Sequence, residues 1–531
     1  MTPRLARALV ITAAAAAVVA AAAGRGDPKE PELAVRYIYS TDATKLVEPL
    51  IERYNRESHR LGGREIRIDG FALTSGQAEE ALAAGDERAA LWTPASSLWS
   101  RLLNHNVSAE WVPAEKPVSL VYSPQVIVMW KSMAEALGYP ERKIGWKDIL
   151  DLTTSKRSWA DYGRPEYGRF LLGHTNPGYS TSGLSAVASE YYAFTGKSSD
   201  MSLADVRQPN VRAAVRTIER SIVHYGETAD NLIEKMLLYG RGYAHAVYVQ
   251  ETSLRKLKPA QAARLVAFEP ADGTFVADYP LIALVAPWVS SDARAAAKAF
   301  RRWLGPKITA KNAASSGFEV RRPTGLAELE PPEAQVLAAI QDAWHEDRKP
   351  ANIVVVMDTS SSMDEGGGGR WEAAQQGLRS FLQELSPKDR FSLVTSGDAI
   401  ETNVPLGVLG ERGPAISRAI DELFPGGDEP VYPAVSRSLE SLRALDDQDR
   451  INAVVVLSDG AGTSVGREEL LRKIEAEPVT EGTGVRIFTV AYGTSPDSEA
   501  LRQIASASKG VFFSGGPKDI NDVYRRILSN F

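Results

Sequence analysis

Asp358, Ser360 and Ser362 stand at alternate positions directly after an unbroken apolar run, Ile353-Val-Val-Val-Met357. Such a run reads as a strand buried on both faces. The Asp-x-Ser-x-Ser spacing then puts one carboxylate and two hydroxyls on a tight loop at its carboxyl end, where open α/β sheets bind ligands. Hard oxygen donors suit a divalent cation such as Mg²⁺, Mn²⁺ or Ca²⁺ and not a soft metal. The same residues also fit a structural role, capping the next helix or tying the loop to its own backbone. A second apolar run, Ala453-Val-Val-Val-Leu457, ends in Ser458-Asp459-Gly460, and a Gly-rich loop, Phe424-Pro-Gly-Gly-Asp-Glu-Pro430, carries Asp428 and Glu429. If the two apolar strands are neighbours, all three loops open at one edge of the sheet. Three convergent oxygen-bearing loops fit a metal far better than one.

The elements that must position these groups alternate regularly. Beyond Pro350 the pattern predicts strands at 352–358, 390–396, 453–458, 486–492 and 511–514. Helices are expected near 370–385, 414–423, 431–445, 467–476, 497–508 and 519–529. This is the signature of a doubly wound α/β sheet. The glycines at 366–369 resemble a phosphate cradle by composition, but Arg370-Trp371 follows where a P-loop needs Lys-Ser/Thr.

The region before it is also α/β. Strands are expected at 33–39, 64–71 and 89–94, with helices around Leu46–Tyr54 and at 76–85. Two strand segments flank Ser123-Pro124. A strand at Phe170 gives way to His174-Thr-Asn-Pro-Gly-Tyr-Ser-Thr-Ser-Gly183, then to a helix starting near Gly183. Hydroxyls and free N–H groups at a helix start favour anions, and simple capping by Ser180 or Ser182 fits the composition equally well. Helices near 209–224 and 230–238 precede strands within 243–251, 263–268 and 273–285, and a helix over 293–304.

Composition bounds what remains. At 531 residues the chain has room for several domains. A net charge of −6 offers no basic face for nucleic acid. Cysteine is absent, which excludes disulfides, thiolate catalysis and zinc–thiolate sites. Arg4 and Arg7, the apolar run 8–23 and the small residues that follow have the layout of a secretory signal peptide over 1–26, so the protein is expected in the cell envelope or outside the cell. The run is shorter than the ~20 residues of a spanning helix. Ala22-Ala-Gly24 is similar to the residues before a lipoprotein cysteine, but Arg25 stands there, so no thioether lipid anchor can form.

Two family resemblances follow from these motifs. The paired segments around Ser123-Pro124, the 174–183 loop, Tyr248-Val-Gln-Glu251, Asp278-Tyr-Pro280 and Phe318-Glu-Val-Arg-Arg-Pro323 resemble the type II substrate-binding proteins of bacterial importers, with the molybdate and sulfate-like branch most similar. The resemblance covers 27–345 and implies two α/β lobes with a cleft between them. Within the cleft it makes Ser40, Thr41, Ser180, Ser182 and Tyr248 the candidate ligand-binding residues. His174 and Glu251 read as structural, because apolar and aromatic surroundings do not favour a metal there.

Residues 350–531 resemble the von Willebrand factor A domain and its metal-ion-dependent adhesion site. The resemblance implies that Ser360 and Ser362 hold the ion directly, and Asp358 and Asp459 directly or through water. It also implies an open coordination position that an acidic side chain of a partner protein fills. The family's middle loop offers a Thr where this chain has Asp428 or Glu429, depending on which flanking residues are aligned. A carboxylate already on the ion would weaken its pull on a partner's carboxylate.

These readings imply an exported, non-enzymatic binding protein with a metal-dependent protein-interaction domain. No Ser/His/Asp order suggests a triad, and none of the six His falls in 350–531. The alternative is a solute receptor of an importer, with a small-molecule solute in the inter-lobe cleft and the C-terminal domain as a docking module.

Overall fold

The computed structural model describes residues 32–531, apart from 116, 155–157, 365–368, 428–430, 460–464, 477–483 and 493–495. The expected signal peptide over 1–26, and Asp428 and Glu429, therefore lie outside the described residues. No helix among the described residues is long and apolar enough to cross a membrane.

The first lobe is built on β1 (Leu33–Ser40), β2 (Arg60–Leu61), β3 (Arg64–Leu73), β4 (Leu91–Thr93) and a late strand, β11 (Ile282–Ala283), in the order β11-β4-β1-β3-β2. β1 pairs in parallel with β3 and β4, and β11 closes the edge antiparallel to β4. The helix Thr44–Arg56 covers one face with Leu46, Val47, Ile51 and Tyr54, the spacing of one helical stripe.

The second lobe holds β5 (Ser123–Trp130), β6 (Leu172–Thr175), β7 (Ile222–Gly226), β8 (Ala246–Gln250), β9 (Leu265–Phe268) and β10 (Val276–Ala277). β5 is buried along its whole length. The helix Thr181–Thr195 lies in the middle of the lobe, with thirteen of its residues buried, among them Ser182, Ser185, Ser189 and Glu190.

Two local expectations fail here for physical reasons. Residues 118–122 make no regular strand: they touch their neighbours through isolated bridges, Ser119 with Pro280 and Tyr122 with Glu319. Pro280 has no N–H to carry a ladder further. The helix expected over 209–224 ends at Glu219, and β7 follows in parallel with β6. Ile222 continues the helical spacing of Val211, Val215 and Ile218, so the periodicity does not mark the break.

The third sheet contains β12 (Ala351–Asp358), β13 (Arg390–Ser396), β14 (Ile400–Val408), β15 (Ile451–Ser458), β16 (Arg486–Tyr492) and β17 (Phe512–Gly515), in the order β14-β13-β12-β15-β16-β17. The strands are parallel except β14, which runs antiparallel to β13 with shifts in register. β14 was not expected. It contains Pro405 and mostly exposed or half-buried residues, a pattern that an edge strand tolerates. The strand order reverses between β12 and β15, which makes the crevice above their carboxyl ends the switch point of the sheet.

The junction between the second lobe and this domain is tight. The charged stretch 344–350 closes the helix Ala334–Asp347 and leads almost at once into β12. Arg348 and Lys349 are buried. Arg348 donates to Asp389 at 2.6 Å, and Asp389, wholly buried, also accepts from the Ala351 and Ser386 amides at 2.7 and 2.9 Å. Asp347 accepts from Arg212 and Arg216 of the second lobe at 2.7 Å.

Candidate metal centre at the sheet switch point

β12 and β15 lie side by side in register, Met357 opposite Leu457, so both strands end at the same level. Asp358 and Asp459 are both buried, at 3 and 4% exposure, as are Ser360 and Ser458. Asp358 Oδ1 accepts from the Ser360 amide at 2.9 Å, and its Oδ2 accepts from Ser458 Oγ at 2.5 Å. Ser360 Oγ and Ser362 Oγ are 3.0 Å apart. Burial pushes the Asp358 carboxyl up; the hydrogen bonds from Ser360 and Ser458 oppose this, and the nearby Asp459 adds to it.

The middle loop is fastened to the first. The Gly426 amide donates to Thr359 O at 2.6 Å, and the Ser361 amide donates to Gly427 O at 3.1 Å. The Thr359 amide in turn donates to Ser396 O at the end of β13. Gly427 has φ +78°, and a Cβ there would sit 2.2 Å from the Asp398 amide nitrogen. Only glycine admits both that backbone conformation and that approach. The first loop, Gly426-Gly427 of the middle loop and the end of β15 at Ser458 and Asp459 thus meet at one edge, and the described donors are all oxygens. That donor set fits a hard divalent cation. With an ion bound, Ser360 and Ser362 would offer hydroxyls, and Asp358 and Asp459 carboxylates.

The candidate cleft residues are scattered by comparison. Ser40 is buried, and its hydroxyl donates to Asp42 Oδ2 at 3.3 Å. Thr41 is half-buried in a short turn after β1. Ser180 is the N-cap of the helix Thr181–Thr195 but makes no side-chain capping bond. Ser182 is fully buried, and its hydroxyl has no hydrogen-bond partner among the described residues. Tyr248 is also fully buried, packed on Trp146 and 3.2 Å from the Ser189 hydroxyl.

The lobes themselves are in contact. The Gly76 amide donates to Tyr179 O at 2.8 Å, Trp99 Nε1 to Thr181 Oγ1 at 2.9 Å, and Thr181 Oγ1 to Ser75 Oγ at 3.3 Å. Deeper in, Tyr279 Oη donates to Gln250 Oε1 at 2.6 Å, and Gln250 Nε2 to Asp42 Oδ2 at 3.1 Å. Sequence reasoning missed this chain of Asp42, Gln250 and Tyr279. Its one advance signal was the polar Gln250 closing an otherwise apolar strand.

Comparison with known proteins agrees with this architecture. Residues 35–319 match the family described as bacterial extracellular solute-binding protein. The chain belongs to that family. Residues 352–526 of this solute-binding protein match the von Willebrand factor type A domain. An uncharacterized protein of Mycobacterium tuberculosis, Rv1836c, is 22% identical over 460 residues, covering 80% of this chain and 64% of its own length. The chain thus spans less than two thirds of that relative. Among solved structures, a periplasmic thiamin binding protein is similar at 12% identity and a TM-score of 0.42, over 61% of this chain and 99% of its own. The proximal thread matrix protein 1 of the mussel byssus, with a zinc-occupied MIDAS motif, is similar at 18% identity and a TM-score of 0.29, over 34% of this chain and 47% of its own.

Proposed function

We propose that this solute-binding protein is exported to the cell envelope and works there without catalysis, gripping a protein partner through a divalent cation at the switch point of its von Willebrand factor A domain. The observation that supports the reading is the meeting of the first loop with the end of β15 and with Gly426-Gly427 at one sheet edge, with Ser458 bonded to Asp358 and the two glycines bonded to the first loop. Asp358, Ser360, Ser362 and Asp459 hold the ion, and Asp428 or Glu429 stands in the sequence where the family's middle loop offers a Thr. The partner supplies an acidic side chain to the remaining position. An anionic middle loop makes that grip weak and easily exchanged. The solute-binding module serves as the platform, since the A domain is joined to it through a buried junction and not through a free linker.

The test is retention of an envelope protein by the immobilised full chain in Mg²⁺ or Mn²⁺, with release by EDTA. The reading requires that Asp358→Ala abolish retention and that an acidic residue of the retained protein be needed. Metal-independent capture, or capture unaffected by Asp358→Ala, would overturn it. Calorimetric titration of the full chain with small oxyanions and neutral solutes separates it from the importer-receptor reading, which requires stoichiometric heat from at least one of them.

A further inference from the structure

Deep in the second lobe, far from the switch point in sequence, three ligand-type side chains meet. His174 on β6, Glu190 on the helix Thr181–Thr195 and Glu219 at the end of the helix Pro209–Glu219 are all fully buried. One ring nitrogen and two carboxylate oxygens of this trio lie within 4.8 Å of one another.

The partners of these groups define what is left over. His174 Nδ1 is 2.7 Å from the Thr175 carbonyl, which can only accept, so Nδ1 carries a proton. The other nitrogen, Nε2, lies 2.9 Å from Glu219 Oε1, a contact that an imidazolium makes as a donor and a neutral ring makes only with an ion or a proton between the two atoms. In the neutral ring this places a lone pair against a carboxylate oxygen. Glu219 Oε2 is already engaged, accepting from Tyr225 Oη at 2.6 Å and from Trp344 Nε1 at 2.8 Å. Both oxygens of Glu190 are buried and have no hydrogen-bond partner among the described residues. A buried carboxylate with no donor is among the costliest groups a fold can contain.

We propose that His174 Nε2, Glu219 Oε1 and Glu190 bind one divalent transition-metal ion, of the Zn²⁺ or Mn²⁺ type, in the core of the second lobe. Two donors each about 2.1 Å from one ion, at angles between tetrahedral and octahedral, lie roughly 3.0–3.4 Å apart. The His174–Glu219 separation is close to that range. Imidazole and carboxylate together suit a borderline ion. Two carboxylates and a neutral imidazole balance a charge of two, which leaves the buried site neutral. The outer contacts are those that orient metal ligands: a backbone carbonyl on the far nitrogen of the histidine, and donors on the non-ligating carboxylate oxygen. One of those donors, Trp344, belongs to the helix that leads into the A domain, so the ion would also fix the anchor of the interdomain junction. His174, structural by its sequence surroundings, becomes a ligand because the fold brings two acids to it. This site is independent of the switch-point site and of the function proposed for it.

The test uses the full chain carrying Asp358→Ala, so that the switch-point site does not contribute, produced in medium supplemented with zinc or manganese. Elemental analysis after a brief EDTA wash should find about one equivalent of metal, falling below about 0.1 equivalent in Glu190→Gln with unchanged far-ultraviolet circular dichroism. Cobalt-grown protein should show visible d–d bands that His174→Gln changes. Metal-free protein of native circular dichroism, or a full equivalent retained in Glu190→Gln, would overturn the proposal. Either result would leave the trio as a histidine–carboxylate pair beside a protonated Glu190.

Discussion

Ser458 Oγ donates to Asp358 Oδ2 at 2.5 Å across the ends of two adjacent parallel strands, β15 and β12. This bond orients the carboxylate that the candidate metal site needs. Its expected consequence is graded. The wild-type chain gains thermal stability from Mg²⁺ or Mn²⁺, about 2.7 kcal/mol when the ion is at a hundred times its Kd. Asp358→Ala removes the switch-point share of that gain. Ser458→Ala, which removes only the orienting donor, weakens ion affinity about 10–100-fold. Thermal shift against metal concentration reads all three. An unchanged midpoint concentration in Ser458→Ala would show that the bond does not tune the site.

Adjacent residues of the C-terminal helix Ile520–Leu528 reach different lobes. Arg526 pairs with Glu227 of the second lobe at 2.6 Å, and Arg525 lies 3.6 Å from Glu80 of the first. Both pairs are partly exposed, so each contributes at most about 1 kcal/mol. Arg525→Glu with Arg526→Glu should therefore barely change the unfolding free energy. It should widen the distribution of distances between spin labels placed on the two lobes, because a brace across the lobe boundary is lost. A distribution identical to wild type would show that the lobe contacts alone hold the lobes together.

Asp389 is wholly buried and accepts from Arg348 and from two backbone amides. Removing it strands a buried guanidinium and two amides. Asp389→Ala is expected to destabilise the A domain by about 3–5 kcal/mol, the range for breaking a buried pair from one side. Denaturant titration with a probe in that domain measures this. A loss below about 1 kcal/mol would place the junction's strength elsewhere.

His245 is almost fully buried and serves as an acceptor: Trp159 Nε1 donates to its Nδ1 at 3.1 Å, and the Leu171 amide at 3.3 Å. Burial, with help from Arg241, holds its pKa down at about 3 against an ordinary value of 6.5. Well above pH 6.5 the ring is neutral in both folded and unfolded chains and contributes no pH dependence. As pH falls from 6.5 toward 3, the unfolded chain takes up a proton that the folded one refuses. Stability is lost over that window, up to roughly 4–5 kcal/mol at its lower end. His245→Gln keeps an acceptor for Trp159 and should flatten this part of the profile. Parallel slopes for the two proteins between pH 6.5 and 4.5 would disprove the assignment.

Much of this was legible in the sequence because it is local. The apolar runs before Asp358 and Asp459 report strands buried on both faces, and their ends place the carboxylates at the binding edge of any open α/β sheet. The helix Thr44–Arg56 announces itself by Leu46, Val47, Ile51 and Tyr54 for the same reason: periodicity records which side of an element loses water. β14 escaped because an edge strand with Pro405 needs no such pattern. Periodicity carries no information about which elements meet. The tertiary structure decided that Ser458 bonds Asp358, that Asp347, Arg348 and Lys349 are buried where the second lobe joins β12, and that Gly427 approaches Asp398 too closely for any side chain. It also decided that His174, Glu190 and Glu219 meet, although they come from three separate elements. Each of these depends on strand order and helix packing, set by the burial of the whole apolar surface and not by the residues that meet.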